Sequence, residues 1–450
     1  MTKPNILFLV IDSFRADKFY GDKKTSITPN LDKLLENGVY FSQAVSSAPA
    51  SLPAVSSILT GLYPFTTLSL EGKVYNLKRD IPTIGQKLET NGYKNFATIP
   101  KILTLMNLDH IFGSNIEFYE DELTLYDGVG EQILRTIDNI RSVEPWFYYI
   151  HLNDIHGQAV FNKEIIPEKF HDEKLGKNQY ERMISLMDVW LGKIFEKLEF
   201  SNTLLMITAD HSSDVGIFDD KLEELYSTSK KNIMVKKNSI IRLSQKIFSK
   251  SPESFRPIRT KLSNRYREKR DSIIEERRTP MLESIEETED NVYRKRIMKN
   301  IVKGTAQVFD DRFMVPLLLC GWGIKKNRII KQQVRSIDIY PTIFDILGYK
   351  IKDKIHGSSL VPLIDDINIE ENPAFLESHI NVIEGITSNT IGIRTSESKY
   401  FRNKDFSEKN VNLFDLKNDP FETENIAKSN KGLVTKMEKL LVQIYNERFY

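Results

Sequence analysis

Short, unbroken apolar runs alternate with amphipathic stretches along most of this chain. Residues 5–12 (NILFLVID) are β-formers with few polar breaks, which suits a strand covered on both faces. Residues 28–45 (TPNLDKLLENGVYFSQAV) read as a helix followed by a strand; Thr28 or Asn30 can cap the helix, Pro29 falls in its first turn and Gly38 stops it. Another glycine-ended helix is predicted over Ile81–Tyr93. Residues 145–154 (PWFYYIHLND) and 202–211 (NTLLMITADH) are buried strands whose last residues turn polar. Between them, Met183, Leu186, Trp190 and Ile194 recur at helical spacing in one long amphipathic helix. Further on, FMVPLLLCGWGI is strand-like, and VRSIDIYPTIFDILG is a strand end entering a helix with Pro341 near its first turn and Gly348 after it. The last hundred residues hold shorter strands (ITSNTIGIRT, SKYFRN, VNLFDL) and a closing helix, Lys431–Arg448, which suits a small antiparallel sheet with a helix packed on it. The alternation as a whole predicts an open α/β sheet, in which ligands gather at the carboxyl ends of the strands.

Residues 219–300 break the pattern. From Lys230 to Arg270 there are fourteen Lys or Arg against two acidic residues, with Ile240, Ile241, Leu243, Ile247 and Phe248 interleaved. Residues 275–289 then swing acidic. This is an insertion in the sheet pattern. Its readings are a solvated helical excursion, a basic lid over an anionic substrate, or a patch for peripheral contact with anionic lipid through 230–270.

At 450 residues the chain exceeds one ordinary core, so a large α/β domain and a smaller appendage are expected. A net charge of +1 gives no whole-molecule argument for nucleic acid, and none is expected as a partner. The single cysteine, Cys320, lies in an apolar run; it excludes an intrachain disulfide and fits a reducing compartment. The first apolar run is shorter than a secretory h-region, and no run approaches a membrane span, so the expectation is a cytoplasmic protein, membrane-associated at most.

The chemistry lies at the strand ends. Asp12, Asp154, His156, Asp210 and His211 each follow an apolar strand directly. The segment SLPAVSSILTGLYP (Ser51–Pro64) has the shape of a nucleophile turn, with a small hydroxyl residue two positions before a proline and a short apolar helix after it. Asp12, Asp210 and His211 can surround a metal that lowers the Ser51 hydroxyl pKa. His151 alternates into its strand and reads as a packed histidine. Arg15 either reaches an anion or braces the turn that carries it.

These segments, taken in order, resemble the sulfatase family of the alkaline phosphatase superfamily. PNILFLVIDSFRAD is similar to the family's opening metal strand, SLPAVSSILTGLYP to its nucleophile segment, and the stretch ending ITADHSSDVG to its second metal strand. FDDRFMVPLLL, VRSIDIYPTIFDILG, HGSSLVPL, GIRTSESKYFRN and NLFDLKNDPFETENIA are similar to the C-terminal signature segments. The resemblance implies an α/β fold: an alkaline-phosphatase-like mixed sheet between helices, with a smaller C-terminal subdomain built on a four-stranded antiparallel sheet. Residues 1–365 would be catalytic, with 219–300 inserted, and 366–450 the subdomain. It also implies one divalent metal (Mn, Zn or Ca) at Asp12, Asp210 and His211, with Ser51 as a further ligand. Asp154 and His156 supply some ligands for a second metal but no convincing third, so one is expected. His156 resembles the family histidine that contacts the transferred group or protonates the leaving oxygen. Lys303 and Lys101 lie near places where relatives carry substrate-binding residues, although Leu103 stands where a histidine is expected.

Two departures change the expected chemistry. Sulfatases of this family usually carry Cys or Ser, any residue, Pro, any residue, Arg, and oxidise the first position to formylglycine. Here the arginine position is Val55, which can neither donate a hydrogen bond nor offset charge. Many also carry two adjacent aspartates at the first metal strand, suiting an oxygen-rich calcium site, whereas Asp12 is followed by Ser13. An unmodified Ser51 is a good nucleophile for phosphorus, and relatives with unmodified Ser or Thr act on phosphoesters or transfer phosphoglycerol and phosphoethanolamine groups. The sequence therefore predicts a metal-dependent ester hydrolase or transferase working through a Ser51 covalent intermediate, on a phosphoester or sulfate ester of a glycan or lipid. The alternatives are a true sulfatase with formylglycine at position 51, and an inactive family member that binds without turnover.

Overall fold

The N-terminal apolar run is strand β1 (Asn5–Ile11), buried at all seven positions. In this computed structural model, which describes residues 3–71, 74–106, 111–112, 115–157, 160, 168–233, 256–303, 308–324, 327–378 and 389–447, β1 sits inside an eight-stranded sheet. The other strands are β2 (Gly38–Phe41), β3 (Lys94–Pro100), β4 (Ile116–Tyr119), β5 (Trp146–Leu152), β6 (Thr203–Thr208), β7 (Leu317–Gly321) and β8 (Arg328–Ile330). Their spatial order is β8-β2-β7-β6-β1-β5-β3-β4. β1 is parallel to both β5 and β6, and β7 runs antiparallel between β6 and β2. The sheet is thus mixed, and β1, β5 and β6 end side by side.

Three of its strands were not legible from the pattern, among them the three-residue edge strand β8. β3 (KNFATIP) interrupts its apolar positions with polar ones, and β4 is an edge strand with exposed residues at its centre. A half-covered edge leaves no continuous apolar run to read.

Helix α1 (Pro29–Asn37) begins at Thr28, as expected, but neither Thr28 nor Asn30 caps it through its side chain. The cap comes from Asp188, whose carboxylate accepts from the backbone N–H groups of Asn30 and Leu31 at 3.1 and 2.9 Å. Asp188 belongs to α3 (Gln179–Glu196), the long amphipathic helix, which buries Met183, Leu186, Trp190 and Ile194. A buried carboxylate at the positive end of one helix therefore locks two helices together.

Helix α2 (Ser51–Thr60) is apolar and buried from Leu52 onward. It ends at Gly61, which takes the left-handed conformation (φ 69°). The Gly61 carbonyl accepts from the N–H groups of His356 and Gly357, each at 3.0 Å, so the HGSS segment holds the end of α2.

The C-terminal sheet is antiparallel, in the order β9 (Ala374–Glu377), β10 (Thr390–Arg394), β11 (Ser398–Asn403), β12 (Asn412–Asp415). Of these, β9 was not singled out in the sequence. Helix α4 (Lys431–Asn446) packs on the sheet through Met437 and Leu441, against Phe375, Ile391, Ile393 and Leu413.

The chain divides into two compact units, Met1–Ile217 with Ala306–Tyr450, and Phe218–Thr305. The second is helical: Asp220–Ile233, Arg256–Thr288 and Val292–Lys303. Arg294 fastens it internally with a two-pronged bond to Asp219 at 2.7 and 3.0 Å. The basic stretch 230–270 lies largely outside the described residues. Among the described residues, no helix is long and apolar enough to cross a membrane.

Candidate active site

β1 delivers Asp12, β6 delivers Asp210 and His211, and the start of α2 delivers Ser51. The Ser51 hydroxyl donates to Asp12 Oδ2 at 3.1 Å and lies 3.5 Å from His211 Nε2. His211 Nε2 is in turn 3.8 Å from Asp12 Oδ1 and 3.7 Å from Asp210 Oδ2. These four predicted residues therefore converge. Asp12, Asp210 and His211 are nearly fully buried.

The cluster is held by donors on all sides. Ser13 Oγ donates to Asp12 Oδ1 at 2.6 Å. Asp210 Oδ1 accepts from the His211 N–H at 2.7 Å and the Ser13 N–H at 3.3 Å. His211 Nδ1 lies 2.9 Å from the Ser212 carbonyl, which can only accept, so Nδ1 carries the proton and Nε2 presents its lone pair. Ser13 itself has left-handed backbone (φ 66°). Tyr180 fixes this turn, donating its hydroxyl to the Ser13 carbonyl at 2.8 Å while accepting from the Arg15 N–H at 3.0 Å.

One residue read as packed joins the site. His151 is fully buried at the end of β5, but its Nε2 lies 3.8 Å from Asp12 Oδ2. Asp12, His151 and Asp210 each offer a ligand atom, all within 4.8 Å of one another. In a strand covered on both faces, alternation does not tell a packed side chain from one aimed at a site, because every position is apolar or buried.

Does this set suit a divalent cation? Asp210 Oδ2 and His151 Nε2 are buried and have no hydrogen-bond partner among the described residues. Orphaned buried polar atoms are costly, and two that can each direct a lone pair at one centre fit a divalent cation. The donor set is mixed carboxylate, imidazole and hydroxyl, which suits a divalent metal.

The remaining candidates fall elsewhere. His156 follows β5 and is partly exposed, two residues past the buried Asp154. Arg15 takes the bracing alternative. Its guanidinium engages Asp17 at 2.8 and 2.9 Å, Asp311 Oδ1 at 3.4 Å, and the carbonyls of Ser213 and Asp311. Gly216 permits this, since a Cβ there would lie 2.3 Å from Arg15 Cδ. Lys101 pairs with Glu120 at the end of β3, where both side chains are half exposed. Lys303 ends the last helix of the second unit. Val55 is buried within α2.

Asp154 turns away from the cluster and accepts from the Leu125 N–H at 2.9 Å. Burial pushes its carboxyl up to about 7 from 3.8, the Leu125 N–H pulls it down, and Asp127 adds to the rise. The folded protein thus holds a proton that the unfolded chain has released. Stability is highest below the unfolded pKa and falls as pH rises through about 7. Asp154→Asn keeps the acceptor for Leu125 and removes a penalty on the order of a few kcal/mol. The variant should melt several degrees higher at pH 8 and equally at pH 4; melting curves that coincide at both would show that this carboxyl ionises without cost.

The sulfatase family model matches residues 4–349. The chain belongs to the sulfatase family. A second family model, N-sulphoglucosamine sulphohydrolase, C-terminal, matches residues 304–447 of this sulfatase-family chain. Among curated relatives, arylsulfatase K of Danio rerio is 34% identical over 140 residues, covering 30% of this chain and 27% of that protein. Arylsulfatase K of Homo sapiens is 31% identical over 138 residues, covering 29% and 26%. The match thus spans about a quarter of these relatives' length.

Among solved structures, the phosphonate monoester hydrolase of Agrobacterium radiobacter is 16% identical with a TM-score of 0.65, covering 99% of this chain and 96% of that one. The Silicibacter pomeroyi phosphonate monoester hydrolase is 15% identical with a TM-score of 0.62, covering 99% and 95%. A 2-O GAG sulfatase is 16% identical with a TM-score of 0.63, covering 99% and 92%. At this identity the likeness shows the fold, which is the alkaline-phosphatase-like one expected.

Proposed function

We propose that this sulfatase-family chain is a metal-dependent ester hydrolase or transferase in which unmodified Ser51 attacks phosphorus, with a phosphoester carried on a glycan or lipid as substrate. The observation that carries this is the Ser51 hydroxyl at the start of α2, 3.1 Å from Asp12 Oδ2 and 3.5 Å from His211 Nε2, with valine at position 55. A helix N-terminus favours the negative charge that develops there. The fold neighbours include phosphonate monoester hydrolases and a GAG sulfatase, which supports anionic phosphorus and sulfur esters as the substrate class.

Asp12, Asp210 and His211 would hold the metal, with Ser51 completing the set. A divalent cation there lowers the hydroxyl pKa and offsets charge on the ester's nonbridging oxygen. Asp12 Oδ2 takes the Ser51 hydrogen bond and so aims an oxygen lone pair into the crevice. Ser51 Oγ forms a bond to phosphorus as the bond to the leaving oxygen breaks. The leaving oxygen takes the electron pair and receives a proton from His156. Water or an acceptor hydroxyl then displaces Ser51: its proton goes to His156, and the serine oxygen takes back the proton it passed to Asp12 Oδ2 during attack.

The sulfatase family model and the arylsulfatase K relatives favour a second reading, a sulfuric ester hydrolase with Ser51 oxidised to formylglycine. Turnover of a nitrophenyl phosphodiester and a nitrophenyl sulfate by the metal-loaded protein separates the two, alongside the mass of the Ser51 peptide. Phosphodiester turnover with an unmodified peptide is expected. A peptide lighter by two hydrogens, with faster sulfate turnover, would replace the proposal with the sulfate reading.

A further inference from the structure

We propose that His151 is an additional nitrogen ligand of the metal in this site, and that it sets the site's preference for a transition metal over calcium. The proposal rests on reading the Asp12–Asp210–His211 cluster as a metal site and goes beyond it, because neither the nucleophile segment nor the strand-end aspartates require a histidine here.

Three observations converge on His151. Its Nε2 is buried without a hydrogen-bond partner among the described residues. At 3.8 Å from Asp12 Oδ2, it is too far for a hydrogen bond yet close enough for both atoms to bind one ion. Its other nitrogen, Nδ1, lies 3.0 Å from the Tyr149 hydroxyl. The phenol oxygen can accept as well as donate, and in the tautomer where Nδ1–H donates to it the Nε2 lone pair faces the two carboxylates. His211 is organised in the same way, its Nδ1–H donating to the Ser212 carbonyl. Metal-bound histidines characteristically fix their second nitrogen like this.

The adjacent residue removes the competing chemistry. Where a second aspartate would add a carboxylate, Ser13 donates its hydroxyl to Asp12 Oδ1 at 2.6 Å. The resulting set is two carboxylates, two imidazoles and one serine hydroxyl. Calcium favours six to eight oxygens, whereas imidazole nitrogen suits manganese, iron, cobalt and zinc.

The test is calorimetric titration of the chelator-stripped, full-length protein with Mn²⁺, Zn²⁺ and Ca²⁺, with circular dichroism melts as a folding control. The wild type should bind Mn²⁺ and Zn²⁺ at least ~10²-fold more tightly than Ca²⁺. His151→Gln should weaken Mn²⁺ and Zn²⁺ by ~10- to 100-fold and move Ca²⁺ by less than about threefold. Tyr149→Phe, which retains the imidazole, should weaken Mn²⁺ by about tenfold even if the His151 variant fails to fold. In the Co²⁺ protein, two hyperfine-shifted, exchangeable imidazole N–H resonances are expected from His151 and His211. A single such resonance in the wild type, or unchanged Mn²⁺ affinity in both His151→Gln and Tyr149→Phe, overturns the proposal. Asp210→Asn separates this from failure of the underlying site: if that variant binds every metal as the wild type does, the cluster is not a metal site and the reading of His151 falls with it.

Discussion

Ser51→Ala should lower turnover of the preferred ester by at least ~10³-fold, equivalent to about 4 kcal/mol of transition-state stabilisation. The change deletes one hydroxyl at the first residue of α2 and leaves the buried face of that helix, from Leu52 to Thr60, intact. The melting temperature should therefore move little. Bound metal should be retained, since Asp12, Asp210 and His211 remain. This combination, an intact fold and an occupied site with no chemistry, is what separates a nucleophile from a structural serine. Turnover within tenfold of wild type would remove Ser51 from the mechanism and, with it, the covalent intermediate.

Asp12→Asn should be almost as damaging, through a different term. Asp12 accepts from Ser13 on one oxygen and from Ser51 on the other. An amide presents only one acceptor oxygen, so its NH₂ must face one of those hydroxyls. The variant also removes one of the two buried carboxylates that balance a cation. Metal affinity should fall by more than ~10²-fold, and turnover with it. Elemental analysis of the purified variant, read beside its melting curve, checks this. Full metal occupancy in Asp12→Asn would mean that the ion is held elsewhere.

Much of this architecture was legible because parallel strands buried on both faces write themselves as apolar runs. β1, β5 and β6 all show this, and the polar residues that end them identify the crevice. Helix α3 was equally clear from its spacing. The features that escaped depend on partners far away in sequence. The cap of α1 comes from Asp188, 158 residues beyond Asn30. Arg15 had two open roles until Asp17 and Asp311 were seen to enclose it. His151 escaped because, within β5, packing and ligation place a side chain in the same kind of buried position. Lys101 was read from its neighbours in the chain, and only the fold brings Glu120 to it.

The left-handed backbone at Ser13 narrows what evolution can place at that position. β-Branched and bulky side chains are strongly disfavoured there, whereas glycine, asparagine and aspartate enter at little steric cost. Ser13 is therefore one substitution from the paired-aspartate form found in many sulfatases, with no need to rebuild the turn. An aspartate at position 13 would therefore add a carboxylate beside Asp12 on an unchanged backbone, and the His151 and His211 nitrogens would still face it.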